Sequence, residues 1–209
     1  MIEQDTANQL IETKHKKLKF TIPIPEEDVS NDLSSFLKSE EFSDLIIKSK
    51  DMKIFKVHKM LLFARSPYFR AALINNMKEK QENIIYLPEN DNLVEELINY
   101  IYTGKVKNIE SSAKELFIAA DKYQLEKLKE KCIYYLFKTV RIENAIDWLT
   151  FAKYYNCEKF ENHLIKFIIH HHDEICKTDN FKSFSKTNPK LVQFLVSLIL
   201  LLSFSKMYF

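Results

Sequence analysis

Glycine is almost missing: there is one in 209 residues. A phosphate-cradling loop or a dinucleotide fingerprint needs several glycines in close succession, so both are excluded, and no nucleotide or other cofactor is expected. The same scarcity removes the glycine-flanked elbow that presents a nucleophilic serine. Cysteine is sparse as well. Cys132, Cys157 and Cys176 are odd in number and widely spaced, without the spacing of a metal clip. Buried free thiols in a reducing compartment are the plain reading. The N-terminus has no apolar core of signal-peptide length, so a nuclear or cytoplasmic protein is expected. An excess of one charge is missing too. Thirty-one basic and 29 acidic residues leave a formal net charge of +2. That argues against nucleic acid or an anionic membrane as the main partner.

What the chain does have is apolar residues, at 46 %, against 29 % charged, which marks a globular chain of one domain or one and a half. The informative stretch is Phe42–Phe69. Leu45-Ile46-Ile47 and Ile54-Phe55-Lys56-Val57 flank a polar turn, which is a hairpin signal, and Phe55 and Val57 share a face of the second strand. Leu61, Leu62 and Arg65 suit a helical turn or two. Ser66-Pro67 ends that helix and starts another, Ser as cap and Pro at the first helical position. Upstream, Val29, Leu33, Phe36 and Leu37 form an apolar stripe on a helix over 29–38, with Glu26, Glu27 and Asp28 at its N-terminal end. So short a helix must dock, on its own domain or on a partner subunit. Downstream, Asn76–Asn83 reads as a polar loop and Ile84-Ile85-Tyr86-Leu87 as a buried strand stopped by Pro88. A helix carrying Leu93, Leu97, Ile98 and Ile101 stops at Thr103-Gly104. Helices follow around Leu116–Ala120 and Leu125–Tyr135, and a further pair begins near Ile142 and runs through Phe160, Leu164 and Phe167. Strands come early and helices late, so the fold class is α+β with an all-helical C-terminal extension.

The order Phe-Ser-Asp at 42–44, Phe-x-Val-His-Lys-x-x-Leu at 55–62 and Ala-Arg-Ser-Pro-x-Phe at 64–69 resembles the BTB/POZ family, and within it the speckle-type POZ protein branch, from about Pro23 to about Val192. The resemblance implies a small β-sheet covered by helices over 28–140, preceded by an extension over 1–27. A partial BACK-like helical region over 141–209 ends in an apolar tail. In that branch a substrate-reading MATH domain precedes the BTB domain, and this chain has no room for one. Met77-Lys78-Glu79 matches the apolar-x-Glu motif by which such domains engage cullin-3; Met77 would fill an apolar cleft and Glu79 would orient. Tyr123 matches a second cullin-facing position, the bland alternative being a tyrosine half-buried between two helices. Val29, Leu33, Phe36 and Leu61 match the seam of the dimer. A further self-association surface of that branch uses a Tyr where this chain has Val196, which argues against higher-order assembly. The resemblance implies a non-enzymatic homodimeric adapter of a ubiquitin ligase. Its rivals are a regulatory heterodimer partner of related BTB proteins and a scaffold or transcriptional cofactor without cullin.

Other constellations read as ordinary structure. Asp44, His58, Arg65, Ser43 and Ser66 form a polar cluster at a hairpin base and helix start, not a triad. His170, His171 and His172 point about 100° apart on a helix, so with Cys176 they do not converge on a metal. Leu191–Phe204 is short for a membrane span; a buried helix is favoured over a membrane anchor or an aberrant terminus. Lys14-His15-Lys16-Lys17-Leu18-Lys19 is a nuclear signal or, more plainly, a solvated linker.

Overall fold

The computed structural model describes residues 29–74, 83–190, 192–193 and 195–197. Met77 and Glu79, the N-terminal extension and most of the apolar tail lie outside the described residues. The elements run α1 Val29–Ser39, β1 Leu45–Lys48, β2 Ile54–Val57, α2 Lys59–Arg65, α3 Pro67–Ile74 and β3 Ile84–Tyr86. Then come α4 Asp91–Thr103, α5 Ile109–Lys122, α6 Glu126–Lys138, α7 Ala145–Tyr154, α8 Glu158–His170, α9 His172–Ile175 and α10 Asp179–Thr187. The fold is α+β with a helical C-terminal region.

The sheet order is β2-β1-β3. β1 and β2 form the expected hairpin, with Leu45 opposite Val57 and Ile47 opposite Phe55. β3 runs parallel to β1, Ile47 beside Ile85, which requires the α2–α3 crossover. Leu45, Ile47, Val57, Ile85 and Leu87 face the core. The strand expected over 84–87 is shorter and only half buried: Tyr86 points outward and is 58 % exposed, because alternate residues of a strand face opposite sides.

Two side chains from other elements hold the α2–α3 corner. His58, before α2, makes no cap through its own side chain. Asp44 supplies it from just before β1, its Oδ1 accepting from the Lys59 N–H at 2.8 Å. Ser66 is fully buried; its Oγ accepts from the Phe69 N–H at 3.2 Å, capping α3, and donates to the Tyr123 carbonyl at 2.7 Å. α4 opens on Asn90, whose side chain accepts from the Leu93 N–H, and closes on Gly104 at φ 70°. That left-handed conformation is one that only glycine adopts cheaply.

The stripe of α1 docks on α4 of its own domain, with Leu33 and Leu37 against the core and Phe36 left 41 % exposed. The C-terminal helices join the same core. Phe117 of α5 meets Phe151 and Tyr155 at 5.2 and 5.3 Å between ring centroids, and Phe137 of α6 meets Phe160 of α8 at 5.2 Å. Phe117 and Phe160 have no exposed surface, and such burial contributes about 1.5–3 kcal/mol each. Among the described residues no helix is long and apolar enough to cross a membrane, and no group of three or more His, Cys, Asp or Glu could hold a metal.

Candidate partner-binding surfaces

One surface is built around the start of α3 and the α5–α6 junction. Because Ser66 fixes α3 against the Tyr123 carbonyl, the rings of Phe69 and Tyr123 stack at 5.3 Å and 7°. Tyr68 places its edge on both, at 5.4 and 5.0 Å. The Tyr123 hydroxyl donates to the Glu89 carboxylate, which also pairs with Lys122 at 2.8 Å. Burial, and then the hydrogen bond to Glu89, push the Tyr123 phenol well up, so it stays neutral.

In the protomer this arrangement turns Tyr123 inward, closer to the bland alternative than to an open partner-facing position. Its side chain is 0 % exposed. The pattern Asp-Lys-Tyr-Gln-Leu at 121–125 identifies the position but not its burial, which comes from Phe69 stacking on one side and Glu89 reaching the hydroxyl. What reaches the surface nearby is Tyr68, at 36 %, and Ile74, at 56 %. Ile74 is the last residue of α3, and three positions separate it from Met77 in sequence.

Beside this layer a cleft of about 590 Å³ opens between α5 and the end of α7. Ile118 and Lys122 line one wall, Tyr154 and Tyr155 the other. Tyr154 is 79 % exposed and Ile118 38 %. Sequence reasoning named neither. The available signal was Tyr154-Tyr155-Asn156: Asn156 at φ 50° turns the chain there and leaves Tyr154 outside.

The second surface surrounds His58. Its Nε2 lies 2.7 Å from the Glu41 carbonyl and its Nδ1 2.7 Å from the Tyr102 hydroxyl, so the ring is fixed by two oxygens and serves no nucleophile. Arg65 is exposed and Ser66 buried, so these polar residues do not converge on one site. Phe36 sets its ring edge-on to His58 at 6.2 Å. Phe42 is 85 % and Met60 73 % exposed. Of the expected dimer residues, Leu33 and Leu61 are half-buried and Phe36 is exposed. The side chain of Val29 lies outside the description. Phe36, Phe42 and Met60 are thus large apolar side chains left exposed in the protomer, the kind of residue that, where contiguous, marks an interaction surface.

Comparison with known proteins fits this geometry. The BTB/POZ domain family matches residues 33–140, and the family described as BTB And C-terminal Kelch (BACK) matches 145–197. The chain belongs to the BTB/POZ family. Its BTB domain is followed by a BACK domain, and neither is a catalytic domain. Similarity extends to a curated protein of Caenorhabditis elegans, "Protein maternal effect lethal 26", at 31 % identity over 194 residues, covering 91 % of this chain. The chain spans 49 % of that relative's length.

Proposed function

We propose that this BTB–BACK chain is a homodimeric adapter that binds cullin-3 as part of a ubiquitin ligase and carries no catalysis of its own. The observation that supports it best is the cleft between α5 and α7, which brings BTB and BACK residues together as its facing walls. It lies beside the Tyr68–Phe69–Tyr123 layer, since Lys122 lines the cleft and Tyr123 follows it. A cullin helix entering there would meet Ile118 and Tyr154, while Met77 and Glu79, a few positions after Ile74 in sequence, would engage it as well. Tyr123 acts by positioning this surface. The homodimer, or a heterodimer with a related BTB protein, would use Val29, Leu33, Phe36 and Leu61, joined by Met60 and Phe42.

Affinity purification of the tagged chain from its native cells, scored for cullin-3 and for related BTB proteins, tests this reading. Cullin-3 recovered with wild type and lost with Ile118→Asp plus Tyr154→Ala supports it. Partners recovered without cullin-3 overturn it in favour of a scaffold.

A further inference from the structure

The exposed face of α6 carries a pattern that the adapter reading leaves unused. Lys127, Lys131, Tyr134 and Lys138 follow helical spacing and all stand on the surface. Tyr134 is 58 % exposed. Nearby, Lys122 is paired with Glu89 and Lys129 with Asp121. Among the described residues, Lys127, Lys131 and Lys138 take part in no ion pair. Instead, the Lys131 ammonium donates to the Gly104 carbonyl at 2.7 Å and lies 5.6 Å from the Tyr100 ring. That of Lys138 lies 4.6 Å from the Tyr134 ring and 5.0 Å from that of Tyr135.

Two clefts flank this contact. One, of about 400 Å³, is lined by Lys105, Val106, Ile109, Lys131, Tyr134 and Tyr135. The other, of about 420 Å³, includes Arg65, Tyr100 and Lys127 in its wall. Lys131, which lines the first, lies 5.6 Å from the ring of Tyr100, which lines the second, so the two clefts adjoin along α6 and are treated together as one groove. Among the described residues, few carboxylates stand near Lys127, Lys131 and Lys138. Glu126 alone lines the second cleft, and Glu130, on the flank, is taken by Lys159 at 3.3 Å.

We infer that this groove docks a short acidic peptide segment bearing one large apolar side chain. The apolar residue would sit on Val106, Ile109 and Tyr135, with carboxylates on either side meeting Lys131, Lys138 and Lys127. Charge complementarity favours this occupant, because a cationic rim around an apolar floor rewards a ligand with both features. A nucleic acid would leave Val106 and Ile109 unused and meets a chain of net charge only +2. The inference does not depend on cullin binding.

The test is fluorescence polarisation of the full chain with labelled Asp-Glu-Ser-Phe-Glu-Asp and with its uncharged counterpart Asn-Gln-Ser-Phe-Gln-Asn. The acidic peptide binds, weakens as salt rises, and exceeds the uncharged one by about tenfold or more. Lys131→Glu with Lys138→Glu reduces its affinity by at least about tenfold. Because Lys131 also holds the Gly104 carbonyl, Lys127→Glu with Tyr134→Ala is measured in parallel, with melting curves for both, and weakens binding in the same direction. Absence of binding, equal affinity for the two peptides, unchanged binding by the folded variants, or tighter binding of a single-stranded oligonucleotide of equal charge would each overturn the inference.

Discussion

Tyr123→Phe separates positioning from contact at the first surface. The substitution keeps the ring that stacks on Phe69 at 5.3 Å and deletes only the hydroxyl that donates to Glu89. A hydrogen bond to a charged acceptor contributes about 1.5–3 kcal/mol. Glu89 keeps Lys122 at 2.8 Å, and its side chain retains 13 % exposure, so the loss falls at the lower end, about 1.5–2 kcal/mol. For a chain of this size that is about 3–8 °C in Tm. Urea denaturation should show a lower midpoint at unchanged m. The variant, measured well below its melting temperature, should bind a cullin-3 fragment within about twofold of wild type, since Phe preserves the layer. Unchanged stability together with a large loss of affinity would refute the reasoning, because the hydroxyl would then touch the partner instead of Glu89.

Ser66→Ala removes the cap of α3 and leaves the buried Tyr123 carbonyl without its donor. It should cost about 2–4 kcal/mol in urea denaturation, and a loss under about 0.5 kcal/mol would contradict the role of that hydroxyl. Burial pushes Tyr102 and Cys132 each up to about 12 and Tyr123 further. Each is neutral when protonated, so folding holds its proton more tightly than the unfolded chain does. Their contribution is complete below the unfolded values, about 8.5 for Cys and 10 for Tyr, and falls as pH rises toward the folded ones. The urea midpoint should therefore drop above about pH 9, and a flat profile to about pH 11 would contradict these burials. Phe36→Asp with Met60→Asp charges residues already exposed in the protomer, so sedimentation should show a dimer for wild type and a folded monomer for the variant at low micromolar concentration. A persistent dimer would place the seam elsewhere.

Local signals made much of this fold legible. The β1–β2 hairpin followed from two β-branched runs around a polar turn, and the end of α4 from the one glycine. The α3 start followed from Ser66-Pro67. Pairing between distant segments was not legible: nothing local in Ile84–Tyr86 says that it lies parallel to β1, so its outward Tyr86 was missed. The partner surfaces divide in the same way. Motif matching located Tyr123 but could not see Glu89, 34 positions upstream, take its hydroxyl inward. The exposed pair Ile118 and Tyr154 came to face each other across a cleft only when α7 packed on α5 through Phe117 and Phe151.

The adapter reading rests on cullin binding, and calorimetric titration of a cullin-3 N-terminal fragment into wild type and into Met77→Ala with Glu79→Ala tests it most directly. A methionine filling an apolar cleft behaves as a hot spot worth about 1–2 kcal/mol, and a rim glutamate adds less. The account predicts binding by wild type and an affinity roughly tenfold lower in the double variant, with fold and dimer intact. Equal affinities would remove Met77 and Glu79 from the surface, and no binding by wild type would contradict the adapter function itself.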